Sequence, residues 1–151
     1  DTCVEYEGRS YFTTVRLFCV GKEIVHGFVR ARNTRDGSPR VNNKDTPLNP
    51  SLIEHLQSIL VTDRMTELRQ LAQRLAVVLG PGFYAHDLLI EKQTGRLFIC
   101  ETGFKFHDWT YSARLSAVSD KLPSLCSMFS IGFPKTSAES FLKECRSFSV
   151  F

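Results

Sequence analysis

Apolar positions recur along this chain with two different periods, and the changes of period divide it into segments. Thr13-Thr14-Val15-Arg16-Leu17-Phe18-Cys19-Val20 is rich in β-branched and aromatic residues. Gly21-Lys22 supplies a turn, and Glu23-Ile24-Val25-His26-Gly27-Phe28-Val29-Arg30 returns. This pattern predicts a β-hairpin. A short extended piece, Thr2 to Tyr6, precedes it. At Leu52 the period lengthens. Leu52, Ile53, Leu56, Ile59 and Leu60 fall at helical spacing behind Asn49-Pro50, a capping residue with proline at the first helical position. Ser51 with Glu54 is an alternative capping box. A second helix is expected over 64–79. Its apolar stripe is Met65, Leu68, Leu71, Leu75, Val78 and Leu79, and Gly80-Pro81-Gly82 ends it. Both stripes read as core-facing surfaces.

The stretch from Phe83 to Asp108 predicts a second hairpin. Asp87 precedes the run Leu88-Leu89-Ile90, and Arg96-Leu97-Phe98-Ile99-Cys100 returns to Glu101. The turn is Lys92-Gln93-Thr94-Gly95, with glycine where a hairpin loop with a bulge demands positive φ. If the arms pair across it, Asp87 and Glu101 sit nearly opposite each other at one end of a half-buried sheet. Adjacent carboxylates repel and call for a cation between them. Magnesium, which takes one or two carboxylates together with substrate phosphates, suits that need. The same spacing also fits two solvated acids at strand ends.

Arg16 lies among apolar neighbours. It must point into solvent or face a polar cleft, because a buried guanidinium without a partner is too costly. From Arg30 to Pro50 there is no periodicity, and the segment holds Arg30, Arg32, Arg35, Arg40 and Lys44 with Asn33, Asn42 and Asn43. A structureless loop of that length is unusual inside a domain. Its guanidinium and amide donors suit phosphate oxygens, and equally a solvated surface. Beyond Asp108, weaker signals suggest short helices near Ser112–Leu115 and Leu122–Phe129. Thr136 with Glu139 forms a capping box before a last helix to about Arg146, and Phe148–Phe151 is a tail strand or a frayed end.

Composition narrows the classes. The 151 residues are 42% hydrophobic and 23% charged, ordinary for one globular domain with a single core. No apolar run is long enough to span a membrane, and no signal peptide is visible. The chain starts at Asp1, which suggests a fragment of a longer protein. Nineteen basic against 16 acidic residues leave a formal charge of +3, too mild to argue for nucleic acid. The five cysteines form no CxxC pair. Cys19 and Cys100 lie in strand-like runs as small hydrophobes, so a reduced, cytoplasmic protein is expected.

Taken in order, these pieces are a Glu-Tyr segment, a strand with arginine, a returning strand ending in arginines, an Arg/Asn loop, two helices, and a hairpin with Asp and Glu. Over roughly Val4 to Asp108 this order resembles the C-terminal half of the ATP-grasp superfamily, closest to its carboxylate–amine ligases. The resemblance implies an α+β fold, an antiparallel sheet of two hairpins packed against helices, with 109–151 as a helical extension. It implies that Glu5 and Tyr6, in VEYE, form the hinge beside adenine and ribose. Arg16 in TTVRLF and Arg30 in GFVRAR, with Arg32 as the competing register, would face the phosphates and acyl group. Arg40 and Asn42 would be the loop's Arg-x-Asn, and Asp87 and Glu101 the magnesium ligands.

The family's Glu-x-Asn is replaced by Glu101-Thr102-Gly103, so Thr102, a backbone carbonyl or water would complete the metal shell. Lys105, His107 and Asp108 are candidates for an acceptor pocket. The implied reaction is phosphorylation of a carboxylate by ATP with Mg2+, then attack by an amine. The implied partners are the carboxylate, the amine acceptor and a preceding lobe carrying the phosphate-covering loop. A homo-oligomer is compatible with the sequence. Two other classes stand beside this one. The first is a non-catalytic interaction or nucleotide-binding module on the same fold. The second is an RNA-binding domain using 30–44, against which stands the lack of aromatics interleaved with the basic residues.

Overall fold

The computed structural model of the chain describes residues 2–42, 44–104, 137–143 and 146. The fold is α+β. Among the described residues up to 104, five strands and two α-helices follow one another as β1 (Cys3–Tyr6), β2 (Arg9–Val20), β3 (Glu23–Asn33), α1 (Pro50–Gln57), α2 (Met65–Leu79), β4 (Phe83–Ile90) and β5 (Leu97–Gly103). A 3₁₀ turn, Thr34–Asp36, follows β3, and a π-helical turn, Ser58–Thr62, extends α1.

Among the described residues all strand pairings are antiparallel. The twelve-residue β2 is the spine of the sheet. β3 pairs along one of its edges, β4 lies against 15–20 on the other, and β5 pairs with β4. β1 pairs with 9–12 of β2. β2 and β3 exceed the expected hairpin arms because Arg9–Phe12 and Ala31–Asn33 join the ladders. The irregular segment is correspondingly shorter than 30–50, and the backbone N–H of Ala31 donating to Asp45 O ties its far end back to β3 at 2.9 Å.

Pleat alternation sends Val15, Leu17, Cys19, Val29, Leu88 and Ile90 to one side, against Leu52, Leu56, Leu60, Leu68 and Leu71. The helices start as the sequence predicts: Asn49 Oδ1 accepts from the Leu52 backbone N–H, with Pro50 behind it. Two expectations are corrected. The stripe of α2 stops being core after Leu75, since Val78 is 83% and Leu79 38% exposed. Cys100 is exposed and does not act as a buried hydrophobe, whereas Cys19 is fully buried. No helix among the described residues is long and apolar enough to cross a membrane.

The opposite side of the sheet carries Phe18, His26 and Phe28, with ring centroids 5.7–6.4 Å apart. Phe141, from the helical residues 137–143, stacks on Phe83 at 4.7 Å. Expectations for Asn43, for the pocket candidates Lys105, His107 and Asp108, for helices at 112–115 and 122–129, for Thr136 and for the tail lie outside the described residues.

Candidate functional site

Directly opposed residues of an antiparallel pair present their side chains on one face. Arg16 of β2 is opposite Asp87 of β4, and Asp87 is opposite Glu101 of β5. The three form one row across three strands, on the face that also carries Phe18 and Phe28. Arg30 joins from β3, opposite Thr14, two positions from Arg16.

The alignment of Glu101 with Asp87 depends on an irregularity. The ladder from the turn pairs Ile90 with Leu97, Leu89 with Phe98 and Leu88 with Ile99. Continued unchanged, it would set Cys100 opposite Asp87 and turn Glu101 to the helix side. A bulge at Cys100 moves the register by one, so Glu101 faces the row. Bulges commonly re-aim a side chain in this way.

Arg16 is not in solvent. It grips Asp87 with both arms of its fork, Nε to Oδ1 at 2.7 Å and Nη2 to Oδ2 at 2.6 Å. Arg30 Nη1 stands 3.6 Å from Oδ1. The three side chains are 11%, 16% and 3% exposed, so these charges have lost most of their water. Such burial is tolerable because the bidentate geometry returns much of the desolvation cost. Arg30 also lies over the Phe28 ring, 5.3 Å from its centroid. Arg30, not Arg32, is thus the arginine of the row. Arg32 instead donates to Arg40 O at 3.4 Å. Glu101 is exposed.

The remaining sequence-derived candidates stand apart from the row. Glu5 is exposed, 3.5 Å from Lys92 Nζ. The Tyr6 ring packs against His55 on the helix side, at 5.0 Å. Arg40 and Asn42 are exposed in the loop. The Asn42 side chain accepts from the Lys44 N–H and thereby closes the turn, so its carbonyl oxygen is already engaged. Thr102 cannot serve the row from its present position. As the neighbour of Glu101 it points to the other side, where its hydroxyl is 2.9 Å from His86 Nδ1. Period-2 alternation alone would have separated Thr102 from Glu101.

Sequence reasoning passed over two groups near the row. His86 is buried behind Asp87. Burial pushes its imidazole below the ordinary value, and the Asp87 charge pulls the other way. Partial desolvation, then Asp87, raise the Cys100 thiol. The other group passed over is Thr14, opposite Arg30, whose hydroxyl is buried.

A magnesium ion takes one or two carboxylates and completes its shell with water and phosphate oxygens. Among the described residues no group of three or more His, Cys, Asp or Glu side chains gathers to hold a metal without such help. Two opposed carboxylates remain. A carboxylate offers about four acceptor positions. Arg16 occupies one on each oxygen of Asp87 and Arg30 approaches Oδ1, so Oδ2 and both oxygens of Glu101 keep capacity. The donor set fits magnesium held jointly with phosphates and does not fit a metal held by protein alone. Compared with family models, with curated proteins and with solved structures, the chain matches none.

Proposed function

We propose that this chain is the C-terminal half of an ATP-grasp type site, one lobe of an ATP-dependent carboxylate–amine ligase. One observation carries the reading: two carboxylates and two guanidiniums, from four strands, share one face of the sheet. In this reading Asp87 and Glu101 hold magnesium against the nucleotide's phosphates. When bound, it offsets phosphate charge during phosphoryl transfer. Arg16 and Arg30 stabilise charge on the transferring phosphoryl group and on the acyl oxygen it reaches. Glu5, Tyr6, Arg40 and Asn42 stand apart from the row and are given no contact with the phosphates in this reading. The carboxylate and the amine acceptor are partners of the complete protein.

The charges support the reading. Within the row two guanidiniums and two carboxylates sum to zero, so a bare divalent cation finds no net negative charge there, while the guanidiniums offer donors to phosphate oxygens. A second reading, a nucleotide-binding or interaction module without catalysis, is favoured by one fact: both oxygens of Asp87 already hold Arg16. Full-length protein separates the two. With Asp87→Asn and Glu101→Gln combined, the ligase reading predicts that ADP formation disappears. Unchanged ADP formation would remove the metal assignment. Magnesium-ATP binding without any ADP formation by the native protein would favour the second reading.

A further inference from the structure

Three segments distant in sequence enclose a cavity of about 270 Å³ on the helix side of the sheet. Val4 and Glu5 come from β1, Leu60 and Arg64 from the end of the π-helical turn, and Ile90 and Glu91 from the approach to the β4–β5 turn. The volume falls just under the roughly 300–1,000 Å³ of sites for drug-sized molecules, so the occupant is small. One wall is apolar: Leu60 and Ile90 are buried, and Val4 packs against the same core. The charged groups are of both signs. Glu5 and Lys92 stand at the rim, 3.5 Å apart and about half exposed, a pair that water weakens. Arg64 lies deeper, 17% exposed. Its Nη2 donates to Gly95 O and Glu67 Oε2, and its Nη1 makes no hydrogen bond among the described residues. A Cβ on Gly95 would stand 3.3 Å and 3.5 Å from the two Nη atoms, so glycine leaves that side of the guanidinium open to the cavity. Glu91 takes the Thr94 hydroxyl on Oε2, which leaves Oε1. One donor arm and one carboxylate oxygen therefore keep capacity on the same cavity, above an apolar wall.

We propose that this cleft binds a small zwitterion with an aliphatic tail, a free amino acid of leucine type. Its carboxylate lies on Arg64 Nη1, its ammonium on Glu91 Oε1, and its tail against Val4, Leu60 and Ile90. A lone carboxylate or a lone amine would answer one of the two charged groups and desolvate the other without return. The row of Arg16, Asp87 and Glu101 is on the other face of the sheet, so a molecule in the cleft is not placed to react there. Bound, it ties β1 to the β4–β5 turn, which suits a site that senses the amino acid and does not convert it. The inference does not rest on the magnesium-ATP reading.

The test is calorimetric titration of full-length protein with L-leucine, with isocaproate, which lacks the ammonium, and with isoamylamine, which lacks the carboxylate. The native chain and Glu91→Gln are compared; glutamine keeps an acceptor for Thr94 and removes the charge. The native chain should bind leucine at or below about 10 mM, and either analogue roughly tenfold or more weakly, as for loss of a charged hydrogen bond. Glu91→Gln should lose roughly tenfold or more of the leucine affinity at an unchanged melting temperature. Magnesium-ATP should not displace leucine. No heat from leucine at about 10 mM, equal binding of leucine and either analogue, or native leucine affinity in Glu91→Gln would overturn the inference. Displacement of leucine by magnesium-ATP would also overturn it, by making the cleft part of a nucleotide site. Should Glu91→Gln not fold, the comparison of leucine with its analogues on the native chain decides alone. A native protein that binds leucine in this way and ignores magnesium-ATP would uphold the cleft and sink the nucleotide reading.

Discussion

Asp87 and Glu101 occupy one row, yet their environments predict different behaviour on substitution. Among the described residues, Asp87 is a counter-charge shared by two nearly buried guanidiniums. Asp87→Asn leaves both without it, a loss of about 3–5 kcal/mol in urea unfolding. Glu101 is exposed, so Glu101→Gln should move stability by no more than about 0.5 kcal/mol. Equal effects of the two changes would contradict the paired state of Asp87. This asymmetry makes Glu101 the cleaner functional probe. A second residue-scale prediction concerns acid. Burial among Phe18 and Phe28 depresses His26 from its usual value to about 3. The folded chain therefore stays neutral at His26 while the unfolded chain takes up a proton. The contribution is intact above about pH 6.5 and is lost as pH falls toward 3, by roughly 1 kcal/mol per pH unit. Urea unfolding at pH 7, 6, 5 and 4 should show a shallower slope in His26→Phe than in the native chain, whatever the change in absolute stability. Identical slopes would mean that His26 titrates while folded.

At the scale of elements, the structure packs the helices close to β3 at a point that glycine permits. A Cβ on Gly27 would lie 2.8 Å from Leu17 Cδ2 and 3.2 Å from Val61 Cγ1, and the Gln57 side chain donates to Gly27 O at 2.7 Å. Gly27→Ala should cost about 1–3 kcal/mol through overpacking between β3 and the π-helical turn. A variant as stable as the native chain in urea would show that this contact is looser than described. Much of the element order was readable from the sequence, because strand and helix periods differ and Asn49-Pro50, Gly21 and Gly95 punctuate them. Gly95 does adopt φ 69°, as its hairpin position requires. What periodicity could not give is the bulge at Cys100. Nothing in LFICETG marks Cys100 as the extra residue, and a regular ladder would have aimed Glu101 at the helices. Pleat alternation was sufficient to exclude Thr102, but only once the side of Glu101 was known.

For the whole molecule, nothing local to Arg16 decides between solvent and cleft, because that choice depends on a residue 71 positions away. The loop candidates Arg40 and Asn42 had suitable chemistry but lie in exposed turns apart from the row. Within the row the two guanidiniums offset the two carboxylates, and magnesium binding should follow suit. Titration with magnesium alone should give no heat at millimolar concentration, whereas magnesium with ATP should bind. Tight binding of the metal alone would mean a protein-built site that the described side chains do not form. The most direct test of the central claim is magnesium-ATP affinity in full-length Glu101→Gln, measured by calorimetry beside its melting temperature. The account predicts an unchanged melting temperature with affinity reduced roughly tenfold or more, the loss expected when a charged ligand is removed. Native affinity in a fully folded Glu101→Gln would contradict it.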